Sequence, residues 1–177
     1  MTTKSVLERT TANPELDGVT ADIGLLIIRV VFGGMMAAHG AQKLFGWFNG
    51  YGWTATTQGF DGMGYNPGKI FGTLAGLSEF VGGLMLVVGL LTPLAGAIIL
   101  GTMINAIVAI WSKGLIGGWE LPLLFGTVGA GFAFIGAGRF SLDAGRPWQR
   151  QSFVLGVGAV VLAVAAAVLT LVFKWVL

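Results

Sequence analysis

The sequence predicts an all-α fold, a polytopic membrane bundle of five transmembrane helices. Three observations carry this. Hydrophobic residues make up 55% of the chain and charged residues 10%, against about 25% charged in an ordinary soluble domain, so the side chains could not cover a water-facing surface. Mean hydropathy is +0.83. The apolar segments are long enough to cross a hydrocarbon core of ~30 Å, which takes about 20 helical residues, and Gly, Pro, Trp and charged residues collect between them. The length of 177 residues suits one domain.

Residues 1–21 are polar and Thr-rich, with turn signals at Asn13-Pro14 and Asp17-Gly18. They lack the basic start, short apolar core and small-residue cleavage site of a signal peptide, and are expected to form a soluble tail with at most an interfacial turn. The first span is expected from Ile23 to Phe45. Gly46 to Lys69 follows as a Gly- and aromatic-rich connection whose glycines and Asn66-Pro67 break helix and strand patterns.

From Phe80 to Ser112 no charged residue occurs, a stretch of 33 residues. As one helix it would be ~50 Å long, too long for a single span. Leu91-Thr92-Pro93-Leu94 supplies the break, giving a second span at Ile70–Leu91 and a third at Leu94–Trp111. The fourth covers Leu121–Ala137, after a tight turn at Lys113–Trp119. A charged loop, Gly138 to Gln151, precedes the fifth span at Ser152–Phe173, and Lys174-Trp175 reads as an interfacial anchor. With five spans, one side carries Lys4, Arg9, Arg139, Arg146 and Arg150, and the other Lys43, Lys69, Lys113 and Lys174. The arginine cluster in one short loop places the N-terminus inside and the C-terminus outside.

Several functions are excluded by composition. Cys is absent, which removes disulfides, thiolate nucleophiles, Cys-ligated iron–sulfur clusters and Cys-zinc sites. The single His39 cannot supply a bis-His haem, and no metal site is expected. The net charge of +2 comes from ten scattered Lys and Arg, where nucleic acid would demand a concentrated basic face. Gly62-Met63-Gly64 is not a nucleotide loop, because no strand precedes it and Pro67 occupies the place of the third Gly.

Function is therefore sought among polar residues inside the bilayer, where a charge costs at least ~2.5–3.5 kcal/mol and needs a partner. Glu79 lies near the middle of the second span, and His39 lies ~5 Å from it in depth on the antiparallel first span. A His39–Glu79 hydrogen bond is expected. Arg29, His39 and Lys43 share one face of the first helix, with Gln42 beside them. Arg29 lies ~10 Å from Glu79 in depth and is expected to snorkel to the inner interface. Two readings of this polar face stay open. It is a cavity that binds a small ligand, such as a quinone head group, or relays protons, or it is a satisfied ion-pair network that fixes helix register.

Asn105 in the third span is expected to hydrogen-bond between helices. Glu120, before Leu121-Pro122, favours a helix start but could also edge the site. Gly68, Gly72 and Gly76, followed by Ser78 and Gly82, make small-xxx-small faces for close helix approach. Trp47, Phe48, Tyr51, Trp53, Phe60 and Tyr65 are read as an interfacial aromatic belt, with a lid over the cavity as the alternative.

Several stretches together resemble the DoxX family of membrane proteins. They are His39-Gly40-Ala41-Gln42-Lys43-Leu44-Phe45-Gly46-Trp47, Leu77-Ser78-Glu79-Phe80-Val81-Gly82-Gly83 and the break Gly89-Leu90-Leu91-Thr92-Pro93-Leu94. Gly117-Gly118-Trp119-Glu120-Leu121-Pro122-Leu123 and Gly138-Arg139-Phe140-Ser141-Leu142-Asp143 complete the family's order. The resemblance runs from Ile23 to Asp143. It implies a DoxX-like four-helix core over residues 22–143. Residues 144–177, a cytoplasmic-side loop and a fifth helix, are an addition with no family role, read as an oligomer face or a lipid-facing anchor.

The resemblance further implies a bacterial inner-membrane subunit of a quinone-linked or sulfur or oxidative-stress redox complex. It would have no intrinsic cofactor, a bound quinone, and a soluble or membrane redox partner. Cavity candidates are His39, Glu79, Arg29, Lys43, Gln42, Asn105 and Glu120; whether the chain is itself a catalyst stays open. The alternatives are a small-solute transporter or channel-like bundle, and a non-catalytic scaffold or assembly factor. Partner-free flux in proteoliposomes would mark the first of these, and absence of both flux and ligand binding the second.

Overall fold

A computed structural model describes residues 14–149 and 152–176. Among the described residues there are six α-helices and no strand: α1 (Pro14–Phe45), α2 (Gly52–Gly62), α3 (Gly68–Val88), α4 (Thr92–Ala109), α5 (Glu120–Ile135) and α6 (Phe153–Val176). Five of them, α5 counted with its lead-in from Leu115, are long and apolar enough to cross a membrane. The protein is a multi-pass membrane bundle. Below, the near end is where α1 begins and the far end is where it stops.

Two elements differ from the sequence expectation. Helix α1 covers the described residues from Pro14 on, so residues 14–21 of the expected tail are helix; residues 1–13 lie outside the described residues. At 32 residues the helix is ~48 Å long and overruns the hydrocarbon core. Asp22 in its early turns accepts from Arg139 Nε at 2.5 Å and from the Arg139 backbone N–H, tying it to the loop after α5.

The second difference is α2, inside the expected Gly46–Lys69 connection. Its glycines sit mainly at the helix ends, Gly52 with φ +73°, so they punctuate the segment without preventing a helix. The helix docks on α3: the Gly68 N–H donates to Asp61 Oδ1 at 2.5 Å, and Trp53 Nε1 to Thr73 Oγ1 at 2.7 Å.

Helices α1 and α3 pack antiparallel through glycines. Gly33 lies against Gly83, and Gly40 against Gly76 and Phe80. A Cβ on Gly40 would come within 2.7 Å of the Gly76 carbonyl oxygen and the Phe80 Cα, backbone atoms that cannot swing aside. Gly34, six residues earlier on the same helix, has nothing within 4 Å. Gly40→Ala is therefore expected to lose at least the ~1–3 kcal/mol of ordinary overpacking, and Gly34→Ala to lose nothing. Thermal unfolding of the two variants in one detergent checks this; equal melting temperatures would contradict the packing.

The α3–α4 break is a Schellman turn at Gly89 (φ 65°, ψ 55°), with Gly89 N donating to Leu86 O and Leu90 N to Met85 O. Helix α4 then begins without a local side-chain cap. The cap comes from 51 residues downstream: Asp143 accepts from Leu91 N and Thr92 N at 2.8 Å each, from Thr92 Oγ1 at 2.7 Å, and from Trp148 Nε1 at 2.7 Å. The loop after α5 is thereby clasped to the near end.

Helix α6 packs on α4 and α5 through Gly156, Ala159, Ala163 and Ala167. Its opposite face, including Val161 and Val168, is exposed and faces lipid. An odd number of crossings puts Pro14 and Val176 on opposite sides.

Candidate functional site

The bundle encloses a cavity of about 490 Å³ in its far half, within the ~300–1,000 Å³ of small-molecule pockets. Its walls come from α1, α3, α4, α5 and α6, with Phe60, Met63 and Tyr65 reaching in from α2 and the turn after it. Most of the lining is apolar, exemplified by Met36, Phe71, Met103 and Phe125; the charged groups are few. A mostly apolar hollow with a few convergent polar groups is the usual form of a ligand site.

The centre of the polar part is an ion pair. Lys43 Nζ donates to Glu79 Oε2 at 2.5 Å. The Glu79 side chain is 7% exposed and that of Lys43 29%, so the carboxylate lies inward and the ammonium nearer the mouth. Both face the cavity. The geometry follows from helix direction. Cβ atoms lean toward a helix's N-terminus, so Lys43, near the far end of α1, leans inward. Glu79, on antiparallel α3, leans outward to meet it.

The expected His39–Glu79 bond is not made. His39 Nδ1 instead pairs with Gln42 Oε1 at 3.1 Å, while its ring stands edge-on to Phe125 with centroids 5.9 Å apart. His39 does line the cavity. Gln42 points outward and donates through Nε2 to the Phe48 carbonyl at 3.1 Å, fixing the turn after α1 where Phe48 and Asn49 have positive φ. It is a structural clamp outside the cavity lining.

Arg29 is also elsewhere. It is 1% exposed and donates through Nη1 to the Ala137 carbonyl at 2.8 Å and through Nη2 to the Phe140 carbonyl. The expected snorkelling does not occur because the loop after α5 folds over the near end, offering carbonyls where water was anticipated. Arg29, through the carbonyls of Ala137 and Phe140, and Asp143, through the amides of Leu91 and Thr92, thus both hold that loop to the near end. Glu120 opens α5 in its first turn and does not line the cavity, so the helix-start reading fits its position.

Asn105 makes the interhelical contact expected of it, and borders the cavity as well. Its Nδ2 donates to the Gly101 carbonyl at 3.2 Å and, across to α6, to the Ala167 carbonyl at 3.4 Å. The seven sequence candidates therefore divide into His39, Lys43, Glu79 and Asn105 at the cavity, and Arg29, Gln42 and Glu120 away from it.

Sequence reasoning gave Tyr65 to the aromatic belt. It is 2% exposed, walls the cavity, and reaches the Asn105 backbone carbonyl with its hydroxyl at 3.4 Å. Lys174 Nζ caps its ring at 4.2 Å from the centroid. Burial pushes the phenol's pKa up, keeping it a neutral donor. Phe60 joins it at the cavity, whereas Trp47, Phe48 and Tyr51 stay exposed, so the aromatic segment divides between wall and belt. Helix α6 contributes Ala166 and Thr170 to the wall, so the added helix completes the enclosure. The alternation of Ala159, Ala163 and Ala167 at i+4 was the available signal for its buried face.

A family model described as DoxX matches residues 24–111, and no curated protein or solved structure matches the chain. The match takes in α1 to α4 with His39, Lys43, Glu79 and Asn105, and stops before the α5 and Asp143 stretches on which the resemblance also drew.

Proposed function

The chain belongs to the DoxX family through residues 24–111, and from that premise we propose that it is a membrane subunit of a quinone-linked or sulfur or oxidative-stress redox complex, binding a small amphipathic ligand in the far-half cavity. The observation that carries this is the Lys43–Glu79 pair set in an otherwise apolar hollow of about 490 Å³. A pair that served only to fix helix register would need no adjoining space.

The residues fit a quinone. The apolar walls suit its ring and tail, and an ammonium carries three donors, of which Glu79 takes one, leaving donors for a ring carbonyl. A bound quinone would supply two-electron redox chemistry; the chain's own part is to bind, orient and keep water from the ring. With no Cys and one His, the electrons come from a partner protein. The setting proposed is the bacterial inner membrane, with Pro14 on the cytoplasmic side and Val176 outside. That places the cavity in the outer half of the bilayer.

Purification from native membranes in mild detergent, with mass spectrometry of everything that travels with the chain, tests the reading. Stoichiometric quinone, or a redox protein bearing flavin, haem or metal, is expected. A bare chain from preparations that preserve other membrane complexes would contradict it. Solute flux by the isolated chain in proteoliposomes would replace it with transport.

A further inference from the structure

Resting on that ligand reading, we infer that Gln42 is a positioning residue: it holds His39 in the Nδ1–H tautomer, so that Nε2 stands in the cavity as a bare acceptor for a hydroxyl of the ligand.

The tautomer follows from two hydrogen bonds that begin at the backbone. The Phe48 carbonyl can only accept, and Gln42 Nε2 donates to it at 3.1 Å. This fixes the Gln42 amide with its oxygen on the other side, 3.1 Å from His39 Nδ1. An amide oxygen also only accepts, so the proton between the two belongs to Nδ1. A neutral imidazole carries one N–H, and Nε2 is left with a lone pair. The reverse tautomer, with Nε2–H turned toward the Phe125 ring whose centroid lies 5.9 Å away, would set two acceptors against each other at 3.1 Å. The backbone anchor is held in place: a Cβ on Gly50 would collide with the Gln42 Cα, so the turn that carries Phe48 lies directly on this residue.

Nε2 opens onto the hollow. His39 lines the cavity whereas Gln42 does not. The two ring nitrogens point nearly opposite ways, so with Nδ1 turned out to Gln42 the other is turned in. Among the described residues His39 makes no further side-chain hydrogen bond. The fully buried side-chain nitrogens and oxygens without a partner there are Arg29 Nε and Asn105 Oδ1; Nε2 lacks a partner and is not one of them, so it keeps accessible surface.

Lys43 lies one helical turn along the same face of α1, its Cβ about 5–6 Å from that of His39, and lines the same cavity. The wall thus sets an ammonium that donates beside an imidazole nitrogen that accepts. Glu79 accepts too, but Lys43 already engages it. The Ser78 hydroxyl, also in the wall, both donates and accepts and favours neither kind of ligand group. Those of Thr102 and Thr170 donate to carbonyls of their own helices at 2.8 and 2.9 Å. The carbonyls of an oxidised quinone can only accept, and suit Lys43 alone. A quinol hydroxyl donates as well, and suits His39 Nε2.

His39 is the only histidine in the chain, so nitrogen NMR of isotope-labelled histidine reads this ring alone. In the whole chain in nanodiscs, at mildly alkaline pH, the spectrum is expected to show Nδ1 protonated and Nε2 bare, the reverse of the form a free histidine side chain favours in water. Under anaerobic conditions decylubiquinol is expected to move the Nε2 signal, and decylubiquinone to leave it in place. Gln42→Leu, which cannot accept, is expected to release the ring to the Nε2–H form and to weaken decylubiquinol binding roughly three- to tenfold, the size of one net hydrogen bond. The wild-type spectra decide should the variant fail to fold. An Nε2–H ring in wild type, or an Nε2 signal that bound quinol does not move, would overturn the inference while leaving the ligand reading standing. Binding of neither form would overturn the ligand reading and with it the role given to Nε2.

Discussion

Lys43→Met is expected to destabilise the bundle by about 3 kcal/mol or more, because removing one partner of a buried ion pair strands the other. The stranded group is Glu79, whose side chain is only 7% exposed. Glu79→Leu should cost less. Lys43 is 29% exposed and can turn its ammonium toward the mouth. The double variant Lys43→Met/Glu79→Leu should recover most of the stability, since replacing a buried pair by apolar groups of similar size is often neutral or better. Ligand binding should stay lost in all three. Thermal unfolding in detergent beside quinone titration separates these outcomes. A double variant that is stable and still binds would mean the pair serves register alone.

Asp143→Ala should be comparably damaging, though it lies far from the cavity. The substitution removes an acceptor from Leu91 N, Thr92 N, Thr92 Oγ1 and Trp148 Nε1 at once. A lost cap alone costs typically ~1 kcal/mol, and hydrogen bonds to charged groups are worth ~1.5–3 kcal/mol each. With four donors losing one acceptor together, the loss should reach about 3–5 kcal/mol. Thr92→Val, which deletes one of the four bonds, should cost a fraction of that.

The same residue gives a pH dependence. Burial would raise the Asp143 pKa, but the bonds from Thr92, Trp148 and Leu91 outweigh it and hold the carboxyl below its usual range. A group depressed in the folded state contributes stability above its unfolded pKa, ~3.9 for Asp, and that contribution is lost as pH falls through the folded value. The melting temperature of wild type should therefore drop below about pH 4. Asp143→Asn should be less stable at neutral pH and lack that component of the acid slope. A slope unchanged in the variant would remove Asp143 as its source.

Much of this was legible in the sequence, for a physical reason. The bilayer forces long apolar helices and makes any charge inside them conspicuous, so five spans and Glu79 could be read directly. The partner of Glu79 was misassigned because depth was compared between Cα positions. His39 is near Glu79 in level, but Cβ direction on antiparallel helices brings Lys43 and Glu79 together from one turn apart, and the long lysine chain closes the gap.

Arg29 and Asp143 were misread or passed over for another reason. Arg29 meets loop carbonyls 108 and 111 residues downstream, Asp143 in that loop meets the start of α4 51 residues upstream, and no periodicity reports where a loop folds back. Helix α2 was hidden by its terminal glycines, which were counted as breakers.

The most direct measurement is photolabelling in native membranes with an azidoquinone, mapped by peptide mass spectrometry. Labels are expected on the cavity wall, at residues such as Met36, Met103 and Phe125, and should disappear when unlabelled quinone competes. Labels confined to the outward face of α6, at Val161 and Val168, and insensitive to competitor would show the quinone merely dissolved in the surrounding lipid, and the cavity would lose its proposed role.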